Sequence, residues 1–253
     1  MNPEANTKRS ILAAVSSIYD PLGLLAPVVL VSKIILQDIW RLQSEWDEPL
    51  PPEIIARWRS WTEDLPALET LAVRRNHLRH PQSWYRSFQL HCFSDASKDG
   101  FGAIVYLRME SHEDVDVLMV MAKSRVAPIH QLTIPKLELQ GALLASRLVA
   151  YCLKELTLPI QSTFFWVDAM TMLKWIHASH RRFTVFVANR VAEILESTVP
   201  GQWRHVPGEL NPADDCSRGL LPAEIDRTSL VPGSRVFVPG TGSLASPIRL
   251  EPA

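Results

Sequence analysis

The chain has 253 residues, 47% hydrophobic and 21% charged, and its 26 Lys and Arg against 27 Asp and Glu leave a net charge of −1. That balance excludes a disordered polyelectrolyte and a global basic field, so any nucleic-acid binding must use local patches. Three cysteines (Cys92, Cys152, Cys216) lack CxxC spacing, which excludes a disulfide scaffold and a cysteine zinc module and points to a reducing compartment.

Residues 1–10 are polar and expected to be disordered. The longest apolar stretch, Leu22 to Leu36, is broken by Pro27, Ser32 and Lys33. It is shorter than the roughly 20 residues that a membrane span needs. The polar segment before it does not suit a signal peptide. The expectation is an intracellular protein, cytoplasmic or nuclear, with no membrane partner.

Residues 11–80 read as a helical region. Leu30, Ile34 and Ile35 are spaced for one buried face, and Tyr19-Asp-Pro-Leu-Gly marks a turn. Four tryptophans fall between Trp40 and Trp61, and core packing between helices is expected for them. Residues 72–86 form a connector in which Arg74, Arg75 and Arg79 stand near Trp84 and Tyr85. Basic residues interleaved with aromatics suit a nucleic-acid backbone, and a solvated connector fits the same composition.

The periodicity then changes, opening an expected domain over residues 86–219. Phe88 to Asp95 alternates as a strand, Gly102 to Leu107 is a second and Val115 to Ala122 a third, an antiparallel meander. A helix follows from Thr133-Ile-Pro, with Pro135 in its first turn, and runs to about Lys154. Ser162 to Val167 is nearly all apolar, as expected of a strand buried on both faces. Helices over 169–177 and 184–197, a short strand over 202–206 and a last short helix over 212–218 complete an α/β class, mixed-sheet domain. Residues 220–253 carry five prolines with little periodic pattern and are expected to be a disordered tail.

Four acids sit where this topology can gather them. Asp95 and Asp168 each end a strand, Glu138 lies in the first turns of the long helix, and Asp214 opens the last helix. Carboxylates converging at a sheet edge repel unless cations neutralise them, and magnesium, a hard ion taking oxygen ligands, suits them. Two such ions can activate a water and stabilise a leaving oxygen in phosphodiester displacement. Strand-end Asp and helix-start Glu also serve as plain caps, so spacing alone leaves both readings open. His177, His180, Arg181 and Arg182, with Lys174 and Trp175 nearby, read either as a solvated helix end or as a phosphate-contacting patch.

Several separated motifs carry a resemblance. Ile11 to Pro27, Gln37-Asp-Ile-Trp, Trp46-Asp-Glu-Pro-Leu, Phe93-Ser-Asp-Ala-Ser and Ala122-Lys-Ser-Arg-Val-Ala-Pro resemble BEL/Pao retrotransposon polyproteins. So do Thr133-Ile-Pro-Lys-Leu-Glu-Leu, Phe186-Val-Ala-Asn-Arg-Val-Ala-Glu-Ile, Trp203-Arg-His-Val-Pro-Gly and Asn211-Pro-Ala-Asp, in order over residues 8–220. The resemblance implies a helical connection region over 11–80 followed by a ribonuclease H-like domain. It implies hydrolysis of the RNA strand of RNA–DNA hybrids with two Mg2+ ions, or Mn2+ in their place. Asp95, Glu138, Asp168 and Asp214 then fall on catalytic, metal-binding positions, and Arg74, Arg75, Arg79, Lys174, Arg181 and Arg182 are the expected nucleic-acid contacts.

The chain departs from that pattern in places. Ala169 stands where a hydroxyl residue is common, and His205 lies before, not in, the loop preceding the last acid, where many relatives carry a mobile His. Asp215 adds a carboxylate beside Asp214. The reverse transcriptase palm is missing, since the sole Asp-Asp is preceded by Pro212-Ala213. This region is also labelled a Pao retrotransposon peptidase, but no Asp-Ser/Thr-Gly turn is present to build an aspartic dyad. A catalytically silent nucleic-acid binder is the remaining alternative.

Overall fold

The computed structural model describes residues 1–72, 78, 80–178 and 183–227, and the strand pairs 235–236 and 248–249. The N-terminal region folds as α1 (Lys8–Ser16), α2 (Ala26–Arg41) and α3 (Pro52–Glu63), closed by a 3-10 turn over Leu65–Thr70. Thr7 caps α1 in a reciprocal box with Ser10, and Pro27 opens α2 where its missing N–H costs nothing.

The expectation of a disordered start is corrected. Ala5 is buried, the Leu50 N–H donates to Asn6 O at 2.9 Å, and Lys8 lies 3.9 Å above the Trp40 ring. A satisfied cap and two buried side chains hold a segment that polarity alone suggests is loose. The tryptophans divide into two pairs. Trp58 and Trp61 are fully buried, 5.3 Å apart, and donate their indole N–H groups to Asn2 O and Val28 O. Trp40 and Trp46 are 40% and 39% exposed instead, because they shelter Lys8 rather than the core.

The second region is one five-stranded sheet: β1 (Ser87–Ala96), β2 (Gly100–Glu110), β3 (Val115–Val126), β4 (Ser162–Val167) and β5 (Trp203–His205). The order is β3-β2-β1-β4-β5, antiparallel across β1, β2 and β3 and parallel from β1 through β4 to β5. This is the α/β mixed sheet that the alternating segments lead one to expect, in the ribonuclease H-like arrangement that the resemblance implies. The helices α4 (Ile134–Glu155), α5 (Met170–Ile176), α6 (Val185–Ser197) and α7 (Asp214–Arg218) flank it.

Strand alternation explains how both faces are covered. Phe88, Leu90 and Cys92 pack with α4, α5 and α6, whereas Phe93 joins Ile104, Tyr106 and Trp166 on the other face. The second face is closed by Ala26 of α2 and Cys216 of α7. So the N-terminal helices roof the sheet. The tail begins as ordered chain, contrary to expectation: Pro222–Arg227 is a 3-10 turn, and Ile225 is buried with Trp58 and Trp61. Among the described residues, no helix is long and apolar enough to cross a membrane.

The seam between helices and sheet depends on Gly23. Its φ is +73°, and a Cβ there would lie 1.8 Å from Ala122 O. The Ala122 N–H in turn donates to Leu22 O at 2.9 Å. Gly23→Ala is therefore expected to lower stability by about 1–3 kcal/mol, as left-handed backbone and overpacking both cost on that scale. A denaturant midpoint equal to the parent's would count against this seam.

Candidate active site

The register of the central strands brings the first two acids together. Because β1 and β4 run parallel with Ser94 opposite Val167, the next residues, Asp95 and Asp168, leave the same edge side by side. Glu138 comes from the second turn of α4, which packs across that edge. Ligand oxygens of Asp95, Glu138 and Asp168 all lie within 4.8 Å of one another, with Asp95 and Glu138 buried and Asp168 half-buried.

Asp214 stands beside this triad, outside its 4.8 Å grouping. Its Oδ1 accepts from Arg218 Nε at 2.5 Å, one helical turn on. The α7 helix reaches the site because β2 has Gly102, where a Cβ would lie 2.4 Å from that of Cys216. Asn211 fixes the preceding loop by donating to Ser94 O at 3.1 Å.

The electrostatics follow from crowding and burial. Burial first, then repulsion by Asp95 and Asp168, pushes the Glu138 carboxyl up to about 9. Asp95 is raised to about 6 by burial and by Asp168 and Asp214, with Ser217 and the Ala96 amide opposing. Two ionised carboxylates at such separations repel by about 3–4 kcal/mol at an effective dielectric of roughly 20.

The donor set fits a hard divalent cation. All donors are carboxylate oxygens, and Asp168 Oδ1 is buried without a hydrogen-bond partner. No described residue satisfies that oxygen or fully offsets the repulsion within the triad, which Ser217, the Ala96 amide and Arg218 only reduce. A divalent ion does both.

Two residues at the site escape sequence reading. Ser217 is fully buried, and its hydroxyl donates to Asp95 Oδ2 and to Asp214 O. Arg218 pairs with Asp214 and feels the charges of Asp95 and Asp168 as well. The i,i+4 spacing of Asp214 and Arg218 is the one signal in the sequence; Ser217 gives none.

Of the expected nucleic-acid contacts, Lys174 is exposed on α5. Arg74, Arg75, Arg79, Arg181 and Arg182 lie outside the described residues, as does His180. His205 is exposed at the end of β5. A Cβ on Gly208 would sit 3.3 Å from Asp168 Oδ2, so the loop before α7 walls this side of the site without contributing a His.

Comparison with known proteins adds the family. A family model described as the Pao retrotransposon-like RNaseH-like domain matches residues 7–169, a span that includes Asp95, Glu138 and Asp168. No curated protein matches the chain. Among solved structures, the N-terminal RNase H domain of a Mycobacterium tuberculosis protein is similar at 13% identity and TM-score 0.38, covering 52% of this chain and 91% of that one. RNase H1 from Halobacterium salinarum is similar at 15% identity and TM-score 0.34, covering 49% and 90%. The foamy viral protease-reverse transcriptase, in a complex with double-stranded DNA, is similar at 12% identity and TM-score 0.40, covering 79% of this chain and 34% of that one.

Proposed function

The chain belongs to the Pao retrotransposon-like RNaseH-like domain family, and on that premise we propose that it is a divalent-metal-dependent nuclease acting on the RNA strand of RNA–DNA hybrids. The observation that carries this reading is the convergence of Asp95, Glu138 and Asp168, with one Asp168 oxygen buried and unsatisfied.

Asp95 and Asp168, side by side at the sheet edge, would hold divalent cations, of which Mg2+ suits the all-oxygen donor set. Glu138 from α4 and Asp214 from α7 would add carboxylate ligands to theirs. When bound, such ions activate a water and stabilise the departing 3′ oxygen. The protein's own part is to hold four acids in register and to orient Asp95 through Ser217. Arg218 offsets the charge of Asp214 and must release it for that carboxylate to serve as a ligand. No protein nucleophile is required.

The experiment is strand-resolved cleavage. A hybrid labelled on RNA or on DNA is incubated with the full chain in Mg2+, in Mn2+ and in EDTA, beside duplex DNA and duplex RNA. RNA fragments from the hybrid alone, and with metal alone, are expected. An intact hybrid at high protein and low salt, where the electrostatic contribution favours binding, sinks the assignment.

A further inference from the structure

The family motif Ala122-Lys-Ser-Arg-Val-Ala-Pro has no role in the carboxylate site, yet β3 carries it to the same edge of the sheet. Asp95 pairs with Gly102 and Gly102 with Ser124, so Lys123 and Arg125 flank the position two strands out from Asp95. At ~4.8 Å per strand, the β3 backbone there is roughly 10 Å from that of Asp95.

A cleft of 390 Å3 opens there, lined by Lys33, Lys123, Ser124, Arg125, Phe101 and Gln140. Gln140 lies two residues beyond Glu138 on α4, so the cleft lies against the helix that carries Glu138. Lys33 comes from α2 and is the helical region's contribution to the cleft. A second cavity of 480 Å3 shares Lys33 and Lys123 and adds Asp20.

Three cations line this cleft, with Asp20 as the acid near Lys33. None of Lys33, Lys123 or Arg125 forms an ion pair or a side-chain hydrogen bond among the described residues. Asp20, the nearby acid, accepts through both carboxylate oxygens from the Leu24 and Leu25 N–H groups at 2.9 Å. Burial, then repulsion from Arg125 and Lys123, holds the Lys33 ammonium below its ordinary value, with Asp20 opposing. A cleft lined by charges of one sign focuses a positive potential that draws anions to it.

We propose that the Lys33–Lys123–Arg125 cleft holds backbone phosphate of the nucleic acid whose RNA strand enters the carboxylate site. The inference rests on the function proposed above and deepens it. Roughly 10 Å corresponds to about three steps along a duplex at ~3.4 Å per phosphate, so one bound duplex reaches both places. Helical region and sheet would thereby grip one substrate together.

The test is binding without catalysis. Anisotropy of a short labelled hybrid is measured in EDTA over a salt series, for the parent, Lys123→Gln, Arg125→Gln and the triple variant with Lys33→Gln. The triple variant is expected to bind about 10- to 100-fold more weakly at moderate salt. Its log–log salt slope should become shallower by about 0.9 for each phosphate that is no longer neutralised. Lys123→Arg keeps the charge and should keep the affinity. Because Lys123 and Arg125 are exposed, the two single variants answer even where the triple unfolds. Unchanged affinity and slope in a folded triple variant, while the parent binds and cleaves, overturns the cleft alone. A parent that binds no hybrid at low salt overturns the proposed function and the cleft with it. Displacement of hybrid by polyglutamate from parent and triple variant alike also goes against the cleft.

Discussion

Asp168→Asn is expected to remove hybrid cleavage, by about 10^3-fold, while the protein stays folded and still binds hybrid. Asn preserves the volume at the end of β4, so the buried Phe164 to Val167 run keeps its packing. What changes is charge: a carboxylate assigned to hold the metal loses its negative charge, and metal-based charge stabilisation is worth several kcal/mol at ~1.4 kcal/mol per tenfold in rate. Asp95→Asn should behave alike, since an amide oxygen still accepts the Ser217 hydroxyl. Single-turnover cleavage of an RNA-labelled hybrid, beside anisotropy of the same hybrid, reads the two effects separately. Loss of cleavage with binding retained also separates an enzyme from a silent binder. Cleavage that persists in both variants would show that the reaction centre lies elsewhere.

Glu138→Gln should make the metal-free protein more stable while making it inactive. The Glu138 carboxyl is held at about 9 in the fold against an ordinary value near 4.5. A raised folded-state value means that the folded protein binds this proton more tightly. The stabilisation is complete at low pH and is lost as pH rises from the ordinary value toward 9. At neutral pH the cost is on the order of 3–4 kcal/mol, from ~1.4 kcal/mol for each pH unit above 4.5. Gln carries no charge and still offers the Ala96 amide an acceptor. In EDTA at pH 8, where the cost is about 5 kcal/mol, its melting temperature should exceed the parent's by about 10–20 °C, given ~2–4 °C per kcal/mol for a chain of this size. At pH 5 the gap should nearly close. Magnesium should reverse the order, because binding to the folded state alone stabilises the parent more. A variant less stable than the parent in EDTA at pH 8 contradicts the repulsion described for this site.

Much of the fold and of the site is legible in the residues themselves. The run Ser162 to Val167 can be placed to the residue because an apolar strand buried on both faces has sharp ends. Its terminal acid is conspicuous for the same reason. Pro135 marks the start of α4, which fixes Glu138 in its second turn. Other features arise from tertiary packing and leave no periodic trace. The stripe Leu30 and Ile35 announces a helix with a buried face, but not that Ala26 on the same helix closes the second face of the sheet. Trp40 and Trp46 look like core residues by type, and only the fold reveals Lys8 beneath them. Ser217 approaches Asp95 across 122 positions of sequence, a contact no local rule predicts. The same holds for Lys33, which meets Lys123 and Arg125 only once α2 lies against β3.

Metal binding itself tests the reading of the carboxylates most directly. Free Mn2+ can be followed by its electron paramagnetic resonance signal while the full chain is titrated, with no nucleic acid present. The parent is expected to take up Mn2+ and to release it when Mg2+ is added in excess, and Asp95→Asn is expected to lose that uptake. A parent that leaves the Mn2+ signal unchanged, or an Asp95→Asn variant that binds as the parent does, would contradict the assignment of Asp95, Glu138 and Asp168 as a metal site.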